Sequence, residues 1–355
     1  MKYRNLYMNS SQKSIYVKYE KKQYKTKNKM SVKIVEDAVI LPAKQDFSIE
    51  PKLWAIGGIM DKDNNFVEES ASDELFGGEY EYNEDYIDKS DEEVVFFGPF
   101  IKEWEKFLCN QISRLWYVID DPKKYKIVYC GWNWNQGITD ISGKYLELFE
   151  LLGIQKEQLI NIQKPTKFKK IIIPECSFVA KKYYSEEFEK LTDTIVKNAK
   201  SHIKRCPDKI YLVDHASATN NNIDHYDQKL KQYLQKKDYR IIYLEKLSLS
   251  DQIFYLNHAK TISMMAGNIS HNLILCKKEN EIVIFNETDQ INEEQMVIDH
   301  TVPANITYID IYKRILPSLF GKKPLLIYVS KYLKNWEDDI IKKKLNFQEW
   351  ITFDI

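Results

Sequence analysis

From about Glu186 onward, short apolar runs alternate with amphipathic stretches. The runs IYLV (210–213), RIIYL (240–244), TISMM (261–265) and EIVIF (281–285) have the length and continuous apolar character of strands buried on both faces. Between them, apolar positions at helical spacing predict helices over 186–204, up to about 237, over 249–260 and over 270–277. Ser248, three residues before Asp251, supplies the start signal of a capping box. Strands and helices in this alternation predict βαβ units around a mainly parallel sheet.

The first half repeats the theme less regularly. Strand-like runs at 53–58 and 93–98 flank an acidic stretch broken by Gly77-Gly78, and a helix over 104–118 carries Phe107, Leu108, Ile112, Leu115 and Trp116 at helical spacing. Strand 126–131, helix 143–153 and strand 169–174 follow. The fold class is therefore α/β, and a chain of 355 residues suggests two domains at the usual prior of about 100–200 residues each. The boundaries read as a basic arm at 1–30, an α/β lobe at 31–185, a second at 186–320 and a tail at 321–355 that packs back on the lobes. Two Rossmann-like lobes facing a crevice is the predicted architecture.

Charge narrows the function. The chain balances 52 Lys and Arg against 52 Asp and Glu, so it lacks the basic surplus of a nucleic-acid binder. That zero is a sum of unlike regions. Residues 1–34 hold the single acid Glu20 among many lysines, whereas Asp61–Glu93 is acidic with only Lys62 and Lys89 opposing. The basic arm predicts peripheral contact with an anionic membrane surface, at about 1 kcal/mol per cation. Apolar runs such as 38–43 and 324–329 fall far short of the roughly 20 residues that span a bilayer, and the first residues lack a signal-peptide core; a cytoplasmic protein is expected. Five cysteines without CxxC spacing read as free thiols.

Candidate chemistry gathers where strand 261–265 runs into the turn Ala266-Gly267-Asn268, with Ser270, His271 and Asn272 in the first turn of the next helix. Ligands of open α/β sheets bind beyond the carboxyl ends of strands, and free N–H groups at a helix start suit phosphate. A donating His271 would add about 1.5–3 kcal/mol. Glu245 and Lys246 follow strand 240–244, where a carboxylate commonly holds ribose hydroxyls. Asp214 and His215 follow strand 210–213. In the first half, Glu103, Glu105 and Lys106 stand at the entrance of the aromatic helix, and Trp132 and Trp134 of GWNWNQG suit stacking on sugar rings. GxGxxG, GxxxxGK[ST], HExxH and clustered His or Cys ligands are absent, so no metal and no cofactor is expected.

Taken in order, WAIGGIMDKDNNFVEES, FFGPFIKEWEKFLCNQISRLWYVID, IIIPECSF, KIYLVD and YLEKLSLSDQIFYLNHAKTISMMAGNISHNLILCKKENEIVIFNE resemble the family 61 glycosyltransferases of capsular polysaccharide biosynthesis, over roughly Leu53 to Asn286. The chain departs from the family's Gly-His-Phe at Glu105-Lys106-Phe107, and Asp214 stands where an Arg usually follows the strand. The family's His-Gly-Ala-Gly-Leu-Thr-Asn turn falls on Ala266 to Asn272, keeping Gly267 and Asn272. The resemblance implies a GT-B fold and an inverting, metal-independent transfer. It implies a nucleotide-sugar donor, a UDP-sugar, in the second lobe and a glycan or lipid-linked glycan acceptor in the first. Donor contacts then fall to Asp214, Glu245, Lys246, Gly267, Asn268, Ser270, His271 and Asn272, and acceptor contacts to Lys106, Trp132 and Trp134. Glu103, ahead of Glu105, takes the role of base, with His271 assisting the leaving group. A non-catalytic subunit of the same fold is the alternative, and a pyruvyl transferase ranks last because the turn carries no Arg.

Overall fold

A computed structural model describes residues 3–44, 55–72, 76–133, 137–214, 221–314, 325–327 and 330–339. The chain forms two units, Met1–Gln23 with Lys200–Ile355, and Tyr24–Ala199. Strand β1 (Tyr3–Tyr7) and helix α1 (Ser10–Glu20) open it. Residues 24–199 contribute β2 (Val32–Lys44), β3 (Ile56–Met60), β4 (Asp88–Ile101), α2 (Trp104–Lys106), β5 (Lys126–Asn133), β6 (Gly137–Ile138), α3 (Lys144–Leu151), β7 (Leu159–Asn161), β8 (Thr166–Pro174), β9 (Phe178–Val179), β10 (Tyr183–Tyr184) and α4 (Glu186–Asn198). The remainder contributes β11 (Lys209–Val213), α5 (Asn221–Gln235), β12 (Arg240–Tyr243), α6 (Leu249–His258), β13 (Thr261–Met265), a 3-10 helix Asn268–Leu275, β14 (Glu281–Asn286), α7 (Glu293–Thr301), β15 (Asn305–Asp310), β16 (Tyr312–Arg314) and β17 (Leu325–Ile327).

The unit containing the C-terminal half is built on six strands in the order β1-β15-β14-β13-β11-β12, every neighbouring pair parallel. Parallel sheets are covered on both faces, which is why the inner strands β11, β13 and β14 read as apolar runs. Ile210, Ile262, Ile282, Ile284 and Ile306 are fully buried, and each such side chain contributes roughly 1.5–3 kcal/mol. The Ser248 hydroxyl caps α6 by accepting from Asp251 N at 3.2 Å, as its spacing predicts.

Two expectations change here. Residues 3–20 are not a free arm: β1 adds to the sheet beside β15, and α1 buries Gln12 and Tyr16 while leaving Lys13 and Lys18 outside. The predicted helix 186–204 stops at Asn198, since Ser201 Oγ accepts from Ile203 N and donates to Asp251 Oδ1 at 2.5 Å, a local turn that competes with helix. The first unit thus runs to Ala199 rather than 185. Of the tail at 321–355, residues 331–339 are helical, and Leu333 and Trp336 join the core around Tyr211 and Phe285; most of the rest lies outside the described residues.

The unit Tyr24–Ala199 is less Rossmann-like than expected. Its seven-stranded sheet runs β3-β2-β8-β4-β5-β6, with β7 also on β5; β4 is parallel to β5 and β8, but β2 is antiparallel to β3 and β8, and β5 to β6. The long strand β2 escapes the sequence reading because Glu36-Asp37, with Asp37 at φ 52°, breaks its alternation. No helix among the described residues is long and apolar enough to cross a membrane.

Candidate functional site

Strand register levels the carboxyl ends of the parallel sheet. Val213 pairs with Tyr243, and Met265 with Phe285, so Asp214, the turn Leu244–Lys246 and the turn after Met265 emerge along one edge. Glu245 and Gly267 follow β12 and β13, which at the usual strand spacing run about 10 Å apart with β11 between them. Glu245 and Lys246 are exposed, with the Lys246 ammonium 4.9 Å from the centre of the Tyr243 ring, and Asp214 is half-buried. His215 lies outside the described residues.

Gly267 adopts φ 123°, a conformation L side chains avoid, and a Cβ there would meet nothing within 4 Å. The turn therefore presents bare backbone to open space. Immediately after it the 3-10 helix begins, and its first turn leaves the N–H groups of Asn268 and Ile269 without intrahelical acceptors. The Asn268 side chain is exposed beside them.

The next three side chains turn inward. Ser270, His271 and Asn272 are 0%, 2% and 4% exposed. Asn272 Nδ2 donates to Ile269 O at 2.9 Å, and Ser270 Oγ accepts from Gly267 N at 3.2 Å. The same hydroxyl lies 2.6 Å from Gln295 Oε1, whose amide also donates through Nε2 to Asp299 Oδ1 at 2.8 Å. Tyr308 donates to the other Asp299 oxygen at 2.8 Å. The Ser270 hydroxyl thus has two acceptors for its proton, Gln295 Oε1 and Gly267 O at 2.7 Å. Asn292 Oδ1 accepts from Glu294 N and Gln295 N, so its Nδ2 faces His271 Nε2 at 3.3 Å and that nitrogen accepts. His271 Nε2 is thereby engaged by Asn292 and does not donate from that nitrogen, and Ser270, His271 and Asn272 lie buried behind the turn.

In the other unit, Gln111 grips the end of β4 from both sides, accepting from Ile101 N at 3.0 Å and donating to Ile101 O at 3.1 Å. Glu103 follows this corner, half-buried, and its own carbonyl accepts from Phe107 N. Desolvation pushes its carboxyl above the ordinary value, opposed by the Lys106 ammonium. Glu105 and Lys106 are half-buried. Trp132 is not an open platform: it pairs with Ile138 in the sheet and packs against the core around Val128 and Cys130. Trp134 lies outside the described residues. The expectation of a metal-free reaction also passes over one Asp-x-Asp pair, Asp61 and Asp63. The Asp61 carboxylate accepts from Asn65 N at 2.8 Å and Asp63 N at 2.9 Å, bonds that favour its ionised form and hold the carboxyl below the usual carboxylate range.

A family model, Glycosyltransferase 61, matches residues 104–283, just over half of the chain. The chain belongs to glycosyltransferase family 61. No curated protein matches it. The family 61 match opens at the helix beside Glu103 and closes in β14, so it takes in the edge from Asp214 to Asn272. It stops short of Asn292, Gln295, Asp299 and Tyr308, the residues that brace the glycine turn. A local signal marked two of them: Asn292 followed three positions later by Gln295 is a helix-start pattern.

Proposed function

We propose that this family 61 glycosyltransferase is an inverting, metal-independent enzyme of the GT-B type, drawing on a UDP-sugar and extending a glycan or lipid-linked glycan in surface or capsular polysaccharide synthesis. The observation that carries the reading is the open-faced Gly267 turn at the carboxyl edge of an all-parallel sheet. Backbone N–H groups of Asn268 and Ile269, with the Asn268 amide, receive the pyrophosphate, and Glu245 takes the ribose hydroxyls.

Chemistry requires a base for the acceptor hydroxyl and relief of the negative charge that builds on the departing diphosphate. Glu103 serves as the base, because desolvation raises its proton affinity above that of an ordinary carboxylate. As its oxygen takes the proton, the acceptor oxygen attacks the anomeric carbon from the face opposite the diphosphate, inverting its configuration. A dipole at one helix start supplies only about 0.3–1 kcal/mol, and rate enhancements begin near 8 kcal/mol, so positioning of both substrates must contribute most. Cytoplasmic work on a lipid-linked acceptor suits the exposed Lys13, Lys18, Lys21 and Lys22.

Titration calorimetry with UDP tests the donor site. Saturable binding is expected in the native chain and a loss of at least about tenfold in Gly267→Ala, whose Cβ forces the turn out of φ 123°. UDP binding that survives the substitution would remove the turn from the donor site.

A further inference from the structure

We propose that a cavity at the carboxyl end of β8, in the unit Tyr24–Ala199, binds the carboxylate of an acidic sugar. The cavity encloses about 410 Å³, within the range of small-molecule sites. Arg114, only 4% exposed, lines it. Its guanidinium donates from Nη1 to Pro174 O at 2.6 Å and from Nη2 to Glu69 O at 2.8 Å and Ala71 O at 3.0 Å. All three acceptors are neutral carbonyls, and a guanidinium has five N–H groups in a fork that matches a carboxylate.

The two carboxylates of the cavity lining are held by neighbours in that same lining. Glu69 faces Lys33 at 3.4 Å, and Glu175 accepts from Ser31 N at 2.9 Å and Ser31 Oγ at 2.8 Å. A buried cation held by neutral partners favours an incoming anion. Asn110 supplies the second specification: its Oδ1 is shielded from solvent and has no hydrogen-bond partner, so it calls for a donor. An anion beside a hydroxyl donor describes a sugar acid better than inorganic phosphate, and Phe178 and Tyr183 add apolar ring faces for the sugar.

Every residue lining the cavity belongs to the unit Tyr24–Ala199, and its test reads binding without turnover. Calorimetry of the full chain with glucuronate, glucose and phosphate should show glucuronate bound one to one, with glucose and phosphate each weaker by at least about tenfold. Asn110→Asp adds a carboxylate to the cavity that Arg114 lines and should weaken glucuronate by at least about tenfold with an unchanged melting temperature. Glucuronate should also slow alkylation of Cys176, which lines the cavity, and not of Cys206. Equal binding of glucose, tighter binding of phosphate, unaltered affinity in Asn110→Asp or an unprotected Cys176 would each overturn the proposal. UDP titrated into the same protein separates the two sites: loss of one ligand leaves the other reading standing.

Discussion

Glu103 shows how one backbone corner makes a candidate base. The Gln111 amide holds Ile101 through both of its backbone groups, which fixes the step from strand to helix and leaves Glu103 half out of water. Glu103→Gln removes the proton acceptor without changing shape, so kcat should fall by about 10²–10⁴ while UDP affinity stays as it was. A base works ionised, and this carboxyl titrates above 4.5; kcat/KM should therefore decline as pH is lowered through that raised value. Full turnover in the Gln variant would move the role to Glu105. The residue type was legible in the sequence at a helix entrance, but its partial burial was not, because that depends on the Gln111 grip from eight positions along the chain.

At the scale of elements, the 3-10 helix and α7 act as a pair. The glycine turn is shaped from beneath by Gln295 and Asp299, one helical turn apart on α7, with Tyr308 of β15 holding the far oxygen. Gln295→Leu removes the hydrogen bonds that the amide makes to the Ser270 hydroxyl and to Asp299 Oδ1. It should cost about 1–3 kcal/mol in urea unfolding and weaken UDP with it; an unchanged midpoint would mean the contacts are exchangeable for water. Helix α1 makes a separate prediction. Reversing Lys13, Lys18, Lys21 and Lys22 to Glu should reduce flotation with anionic vesicles, at about 1 kcal/mol per cation, and undiminished flotation would end the membrane reading.

At the scale of the whole molecule, the N-terminal segment is tied to the C-terminal sheet by buried polar groups. Asn286 Nδ2 donates to Asp310 Oδ1 at 3.1 Å, the Tyr16 hydroxyl meets Asn286, and the Tyr312 hydroxyl donates to Gln12 Oε1 at 2.9 Å. Desolvation pushes the Asp310 carboxyl up to about 6 from 3.8, against the pull of Asn286, Tyr312 and the Asn9 backbone. A folded value above the unfolded one favours the protonated form. Its contribution is full below 3.8 and is lost as pH rises through 6. Unfolding free energy measured across that window should decline with rising pH more steeply in the native chain than in Asp310→Asn, and identical slopes would place the titration elsewhere.

The amino-acid pattern alone carried the α/β alternation, the strands at 210–213, 240–244, 261–265 and 281–285 almost to the residue, the Ser248 cap and a turn at 266–268. These follow from local rules of period, propensity and backbone conformation. Only the tertiary structure decided that residues 3–7 form an edge strand, that Ser270, His271 and Asn272 face inward, that Trp132 packs against the core and that Arg114 is buried among carbonyls. Each of those outcomes depends on partners distant in sequence: β15 for β1, Gln295 and Asn292 for the turn, Pro174 and Glu69 for Arg114. Periodicity shows that a residue lies on a face; which face is covered is set by what the rest of the chain brings against it.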